Sequence, residues 1–293
     1  MLNLLVNPIA GGKHGKRMIK NLSRIEGRLN KLGVAYTVYK TEKRGDATEL
    51  TKKIIADGAD NVIVVGGDGT LHEVINGFSD FERVTLGIIP CGTGNDFATS
   101  LKIPEDPIKA LDIILKNTPA FVDYMQMPTV RGLNIVGMGI DVEVLKLYEE
   151  CKIKTKITYT KCLLKALLGF KCVQFDASFD GGEPQRYSSF TACIANGYRY
   201  GGGIPICPVA DPTDKQMDFV AVSGMGKLKT AAAVVKLKAG KILSVKESTH
   251  GNMKTVTVIP ATEHYTVNVD GELYEDIPFS VTLVSDTLKV FLK

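Results

Sequence analysis

The feature that most constrains the fold is a regular alternation, through the first 125 residues, of short apolar runs with segments of helical periodicity. The apolar runs lie at 2–6, 34–39, 61–65 and 84–89. After the first run, apolar residues recur at steps of three and four, the spacing of one buried helix face. These residues are Ile19, Leu22, Ile25, Leu29 and Leu32. The alternation predicts βαβ units and a parallel sheet covered on both faces.

A second helix is predicted from Asp106 to Asn117, because the prolines of "IPEDP" can begin a helix but not interrupt one. From about Tyr124 the residue pattern changes to β-branched and aromatic runs, with hairpin signals at 179–184, 267–275 and 279–293. We therefore expect a doubly wound α/β nucleotide-binding domain over 1–124, followed by an antiparallel β-sandwich-like domain over 125–285.

Composition excludes several classes of protein. A net charge of +4 and a pI near 8.6 are too mild to indicate nucleic-acid binding. The spacing of the six cysteines and four histidines predicts neither a zinc site nor a disulfide framework, and favours reduced thiols. The N-terminal stretch has no export-signal pattern, and no apolar run reaches the length of a membrane span. A cytoplasmic protein is expected, peripheral at most to the inner face of the membrane.

Glycine-bearing loops follow three of the predicted strands. They are "NPIAGGKHG" (residues 7–15, loop 1), "GGDGT" (66–70, loop 2) and "PCGTGNDFA" (90–98, loop 3). Glycines at strand-to-helix turns let backbone N–H groups approach a phosphate, and the next helix N-terminus adds partial positive charge. Neither the Walker A spacing nor G-x-G-x-x-G is present. Each loop alone could be an ordinary tight turn, but three at one sheet edge favour a phosphate site.

Asp68 stands inside loop 2, where a polyphosphate would repel it. Its position is explained if Mg²⁺ lies between the two, or if the carboxylate accepts a proton. Both are requirements of phosphoryl transfer. The simpler alternative is that Asp68 is a helix N-cap.

The motifs "NPIAGGK", "GGDGTLHEVING", "GIIPCGTGNDFA" and "ANGYRYGGGIPICPVADPTD" occur in this order along almost the whole chain. Together they resemble the bacterial diacylglycerol kinase and related lipid kinase family, which includes relatives of sphingosine kinases. GGDGT alone is shared with NAD kinases, and the combination with P-x-G-T-x-N-D-F-A is far more specific.

The resemblance implies that ATP is bound by the α/β domain, and that a C-terminal strand at about 286–293 returns to that domain. The role of Thr41 depends on the resemblance alone. The implied nucleotide-binding residues are Asn7, Pro8, Gly11, Gly12, Lys13, Thr41, Gly66, Gly67, Asp68, Gly69, Thr70, Leu71, His72, Glu73, Gly92, Thr93, Asn95 and Asp96.

The resemblance also implies a base toward the acceptor hydroxyl within "VDGE", either Asp270 or Glu272. Asp270 could instead only form the hairpin turn, and Asp68 competes for the same role. A structural Mg²⁺ loop is implied at Asp211, Asp214 and the backbone of Gln216. Lys215 departs from the family pattern, which has glycine there, and an exposed acidic loop is the alternative.

Two lysine-rich segments, 151–175 and 227–246, contain no acidic residue. Such segments can form basic amphipathic helices that lie on an anionic membrane surface. Their apolar residues could equally pack on the second domain and leave the lysines solvated.

The predicted function is an ATP- and Mg²⁺-dependent lipid kinase that converts diacylglycerol to phosphatidic acid. The alternatives are a kinase for a sphingoid base, ceramide, monoacylglycerol or prenyl alcohol, an NAD kinase, and a lipid- or nucleotide-binding regulator without catalysis. A homodimer is compatible with the sequence, which contains no feature that demonstrates one.

Overall fold

The computed structural model describes residues 1–11, 16–151, 153, 155–167, 169 and 171–293. Gly12 and Lys13 of the predicted nucleotide site lie outside the described residues, as do Leu168 and Phe170 of the first lysine-rich segment. The chain divides into two compact units, which are described separately: residues 1–123 with 285–293, and residues 124–284.

The first unit contains a parallel sheet and five helices. Its strands in chain order are β1 (Leu2–Val6), β2 (Tyr36–Lys40), β3 (Asn61–Gly66), β4 (Thr85–Pro90) and most of β5 (Pro119–Gln126). Its helices are α1 (Lys16–Leu32), α2 (Asp46–Ala56), α3 (Asp68–Gly77), α4 (Asp96–Ser100) and α5 (Pro107–Lys116).

The parallel strands follow the spatial order β2-β1-β3-β4. Right-handed crossovers in this order place α1 on one face of the sheet and α2 and α3 on the other. Accordingly, α1 contacts α5 and α2 contacts α3. The predicted doubly wound α/β arrangement is therefore confirmed. Strand β2 is added on one side of β1 and β3 on the other, so the order of strand addition reverses between β1 and β3, and their carboxyl ends form the switch point where such sheets bind ligands.

Helix α5 agrees closely with its prediction. The Asp106 carboxylate caps it by accepting the N–H groups of Ile108 and Lys109, and Pro107 occupies the first turn. The prediction for α1 was partly wrong. Ile25 and Leu29 are buried as expected, but Ile19 and Leu32 are exposed. Met18 is buried instead of Ile19, because the stripe facing the sheet passes through residues 18, 25 and 29.

The second unit is mainly antiparallel, as predicted. Its further strands are β6 (Arg131–Gly132), β7 (Ile135–Gly139), β8 (Val173–Phe179), β9 (Gln185–Ala195), β10 (Met217–Ser223), β11 (Ser248–Met253), β12 (Thr255–Pro260), β13 (Thr266–Val269) and β14 (Glu272–Glu275), and its helices are α6 (Ile140–Glu149), α7 (Lys156–Leu167) and α8 (Lys227–Lys238). Strand β9 pairs with β7, β8 and β10.

Alternate residues of β9 belong to two apolar cores. Ala192 and Ile194 pack in a core formed largely by strands, whereas Cys193 and Ala195 pack in a second core with side chains of the three helices. Each of the two cores thereby buries one face of β9.

The last strand, β15 (Ser280–Phe291), corrects a prediction. The closing segment was expected to form a hairpin, but it is one strand with Asp286 at a φ of 58° inside it. Residues 280–282 pair with β12 in the second unit, and Lys289 and Val290 pair with β4 in the first. No helix among the described residues is long and apolar enough to cross a bilayer.

Candidate active site

Loops 1, 2 and 3 come together at the carboxyl edge of the parallel sheet. The side-chain amide of Asn7, in loop 1, donates a hydrogen bond of 3.0 Å to the hydroxyl of Thr70, in loop 2. Loop 3 joins loop 2 through the Cys91 N–H, which donates to the Gly66 carbonyl at 2.7 Å. The three motifs thus form one local structure within the first unit.

Glycine is required at the contact between loops 2 and 3. A Cβ on Gly67 would stand 2.8 Å from the Cα of Gly92, closer than two carbons can approach. Gly11 of loop 1 has a φ of +82°, and a Cβ there would lie 2.6 Å from the Cys91 carbonyl oxygen. The loops therefore pack backbone against backbone, and this packing is what requires glycine at these positions.

Asn95 closes loop 3 on itself. Its side-chain oxygen accepts the Gly92 N–H at 2.8 Å, and its amide donates to the Gly92 carbonyl. Its own backbone has a φ of 54°, a conformation that asparagine tolerates better than most residues. Thr93, at the tip of the same loop, is exposed. Asn95 therefore shapes the loop, and Thr93 offers its hydroxyl to solvent.

Asp68 is the first residue of α3, and Gly67 is the N-cap. The N-cap explanation for Asp68 is therefore wrong. One carboxylate oxygen of Asp68 accepts the N–H of Phe97, in the first turn of α4, at 3.3 Å. The carboxylate thus lies by the starts of two helices at the loop edge, and its oxygens suit a hard cation such as Mg²⁺.

Thr41 follows β2, and its N–H donates to the carbonyl of Val6, the residue before Asn7. This contact places Thr41 beside loop 1 at the same edge. Glu73 has a different position: its carboxylate accepts the N–H groups of Gly45 and Ala47 and so caps α2. Leu71 and His72 are buried. These contacts favour structural roles for Glu73, Leu71 and His72.

In the second unit, Asp270 is held by the backbone. Its carboxylate accepts the N–H groups of Leu133, Asn134 and Ile135 at 2.6–3.0 Å. Asp270 and Gly271 both have positive φ and form the two-residue turn between β13 and β14. Glu272, half-buried, begins β14. The geometry favours a structural role for Asp270 and leaves Glu272 as the candidate base of this hairpin.

Asp141 was not identified from the sequence, because an acidic residue in the first turn of a helix is ordinary. It is buried at the start of α6, and its Oδ2 accepts the side-chain amide of Asn268 at 2.9 Å. The Asn268 oxygen in turn accepts the Gly271 N–H of the turn before Glu272. Burial raises the pKa of the Asp141 carboxyl to about 6, a perturbation typical of functional sites.

The predicted Mg²⁺ loop is an exposed turn. Asp211 accepts the N–H and hydroxyl of Thr213, and Asp214 accepts the Gln216 N–H. Lys215 adopts a φ of 64°, the conformation that glycine takes most easily. The turn therefore forms despite the lysine. The metal at Asp211, Asp214 and Gln216 stays a prediction.

Comparisons with known proteins identify the family. A model described as the diacylglycerol kinase catalytic domain matches residues 1–127, and one described as the YegS C-terminal NAD kinase β-sandwich-like domain matches residues 134–292. The chain therefore belongs to the diacylglycerol kinase/YegS family of lipid kinases.

Individual relatives agree with this assignment. A diacylglycerol kinase of Staphylococcus carnosus is 37% identical to this chain over 142 residues, which cover 48% of this chain and 45% of the relative's length. A protein of Xanthomonas oryzae pv. oryzae named "Probable lipid kinase YegS-like" is 27% identical over 93% of this chain and 91% of its own.

Solved structures show the same fold. A diacylglycerol kinase structure from Bacillus anthracis superposes with a TM-score of 0.79 at 26% identity, covering 100% of this chain and 96% of the other. A yeast NADH kinase superposes with a TM-score of 0.50 at 9% identity, over 100% of this chain and 84% of the other, a likeness of fold alone.

Proposed function

We propose that the protein transfers the γ-phosphoryl group of ATP, with Mg²⁺, to the free hydroxyl of diacylglycerol and releases phosphatidic acid and ADP. The observation that carries the proposal is the meeting of the three glycine loops around Asp68 at the switch point of the parallel sheet. The names of the Staphylococcus and Bacillus relatives support diacylglycerol as the acceptor.

The residues at the loop edge fit a nucleotide with a hard cation. Half-buried Gly67 and exposed Gly69 leave loop 2 without side chains where a phosphate could approach, and the start of α3 favours negative charge there. Asn7 and Thr70 hold the first two loops in register. Mg²⁺, when bound, supplies neutralisation of the charge on the transferring phosphoryl group. Asp68, at the start of α3, is the carboxylate that would hold it.

The acceptor hydroxyl loses its proton as its oxygen bonds to phosphorus and the bond to ADP breaks. One carboxylate must accept that proton. The candidates are Asp68 in the first unit and Glu272 in the second. Asp270 is the weaker candidate, because three backbone N–H groups already occupy its oxygens.

Surface features of the second unit support access to a lipid. On α7, Ile157 and Leu164 lie seven residues apart on one helix face, 70% and 52% exposed, while Leu163 on the other face is buried. On α8, Leu228 and Val235 have the same spacing and are 89% and 69% exposed. Both helices therefore pack one apolar face inward and present apolar side chains among lysines outward, as membrane-surface helices do.

The test is transfer of labelled phosphate from ATP with Mg²⁺ into mixed micelles, each carrying one acceptor: diacylglycerol, monoacylglycerol, ceramide, a sphingoid base or a prenyl alcohol. NAD in solution is a further acceptor. Asp68→Asn keeps an oxygen for the Phe97 N–H, so the loop should fold, and the exposed Asp57→Asn in the same unit is the matched control.

We expect labelled phosphatidic acid from the wild type and from Asp57→Asn, and a loss of at least about 10²-fold in Asp68→Asn. Label in another lipid or in NAD, with none in phosphatidic acid, would replace diacylglycerol with that acceptor. Binding of ATP without any labelled product would argue for a regulator.

The two carboxylates of the β13–β14 hairpin, Glu272 and Asp270, are distinguished by folding and activity measurements on matched variants. Glu272→Gln should melt like the wild type and lose turnover if Glu272 is the base. Asp270→Asn should instead lower the stability by about 1–3 kcal/mol, since an amide N–H would face backbone donors. Full activity in Glu272→Gln would exclude Glu272 and leave Asp68 as the stronger of the two remaining candidates.

A further inference from the structure

Strands β10 and β11 bring polar side chains together on one face of the second unit. Asp218 lies opposite Asn252 in the antiparallel register, and His250 lies two residues before Asn252 on β11. Because side chains alternate along a strand, Asp218, His250 and Asn252 share a face. The same face of β10 carries Val220, which packs in one core with Cys207, from the loop before β10.

Three ligand-type atoms converge at this point. The Cys207 sulfur, an Asp218 oxygen and a His250 nitrogen all lie within 4.8 Å of one another, and His250 Nε2 is 2.6 Å from Asp218 Oδ1. In a tetrahedral zinc site, metal–ligand bonds of about 2.0–2.3 Å separate the ligand atoms by about 3.3–3.8 Å. Small side-chain rotations would reach that geometry.

We propose that Cys207, Asp218 and His250 bind one Zn²⁺ ion. The combination of a thiol, an imidazole and a carboxylate suits zinc and is poor for Mg²⁺, which prefers oxygen ligands alone. Binding releases the thiol proton to solvent as the sulfur coordinates the ion. Three protein ligands leave the fourth position to a water molecule.

Burial favours this site over a surface coincidence. Cys207 is 0% and Asp218 1% exposed, while the His250 side chain is 30% exposed and marks the route by which an ion would enter. The bound ion would fasten the loop after Cys207, which includes Asp211 and Asp214, to the β10–β11 pair. Its binding does not depend on the proposed kinase reaction.

Sequence spacing did not reveal the site. Cys207, Asp218 and His250 stand far apart in the chain and match no zinc motif, so only the pairing of β10 with β11 brings them together. This explains why the spacing of cysteines and histidines predicted no zinc site.

The test uses full-length protein without an affinity tag, freed of metal with a chelator and returned to buffer with excess Mg²⁺. Zn²⁺ is titrated against a chromophoric chelator to give stoichiometry, and Co²⁺ replaces it as a spectroscopic probe.

The site variant is His250→Gln, whose amide can still donate to Asp218. His264→Gln is matched to it, because His264 also pairs with an aspartate, Asp276, at 2.9 Å. Cys207→Ser is paired with Cys151→Ser, since Cys151 lies 3.8 Å from another thiol, Cys162.

We expect one equivalent of Zn²⁺ in the wild type, a melting temperature raised by the ion, and Co²⁺ absorption with thiolate charge-transfer and tetrahedral bands. His250→Gln and Cys207→Ser should lose the bound Zn²⁺, the rise in melting temperature and the Co²⁺ bands. The two control variants should keep all three. The proposal is overturned if the wild type binds no Zn²⁺ in excess Mg²⁺. It is equally overturned if folded His250→Gln keeps the wild-type stoichiometry and Co²⁺ spectrum.

Discussion

Asn7 and Thr70 are 63 residues apart and share a hydrogen bond of 3.0 Å that joins the loops after β1 and β3. The bond crosses the switch point of the parallel sheet, where the order of strand addition reverses and where ligands of such sheets bind. It adds a side-chain bond between two loops whose strands already pair, and so fixes the position of the Asn7 and Thr70 side chains relative to each other.

Removing this bond should weaken nucleotide binding. In Asn7→Ala we expect the KM for ATP to rise about tenfold, equivalent to about 1.4 kcal/mol, with a smaller change in the KM for the lipid. Steady-state kinetics with each substrate varied measure both values. Asn30→Ala, at an exposed position of α1, is the control. An ATP KM within twofold of the wild type would show that the bond does not position the loops.

Alanine should have opposite effects at two glycines of the first unit, Gly67, which contacts Gly92, and Gly27, which has open space around it. Gly67 has a φ of −110°, which any residue adopts, so Gly67→Ala acts through space alone and should lower stability by about 1–3 kcal/mol and abolish turnover. Gly27, inside α1, has no atom within 4 Å of the position that a new methyl group would occupy, and Gly27→Ala should stabilise by about 0.5–1 kcal/mol. Denaturant unfolding of both variants measures the difference. A stable, active Gly67→Ala would refute the packing argument.

The buried Asp141 carboxyl predicts a pH dependence of stability. Because the folded-state pKa is raised from 3.8 to about 6, the protonated form is favoured on folding, and this contribution is lost as pH rises through about 4 to 6. Asp141→Asn should match the wild type in stability below pH 4 and exceed it by about 3 kcal/mol above pH 6.

Subtracting the two unfolding free energies at each pH removes the contributions of the other carboxylates. A difference that stays flat between pH 4 and 7 would show that Asp141 is not titrating in this range. Turnover of Asp141→Asn, measured on the same samples, then reports whether the carboxylate also serves the acceptor side.

The exposed apolar pair of α7 predicts binding to membranes. The double variant Ile157→Ser and Leu164→Ser should reduce sedimentation with anionic vesicles by roughly ten- to a hundredfold. In the wild type both apolar side chains are exposed to water and would leave it when α7 binds the vesicle surface. Its activity on mixed micelles should change much less. Ile19→Ser with Leu32→Ser, an exposed apolar pair on α1, is the matched control. Equal vesicle binding by both doubles would contradict the assignment of α7.

Local signals predicted most of the first unit. Pro107 and Asp106 mark the start of α5, and loops 1 to 3 follow strands whose bounds were nearly correct, because these signals act within a few residues. Helix α6 was missed, since its β-branched residues are common in the strands around it.

The candidate site was harder to assign residue by residue. Asp270 and Glu272 could not be distinguished in sequence, because the backbone groups that hold Asp270 come from residues 133–135. Glu73 likewise caps α2 by accepting the N–H of Gly45, which lies 28 residues earlier. Such assignments depend on tertiary contacts, which periodicity and motif spacing do not contain.

Strand β15 pairs with β12 in the second unit and then with β4 in the first. Because β15 follows the whole second unit in the chain, a ribosome must synthesise that unit before the first one can acquire its last strand. The first unit therefore emerges from the ribosome with the outer edge of β4 still unpaired by β15, and it acquires this strand only after the second unit has been synthesised.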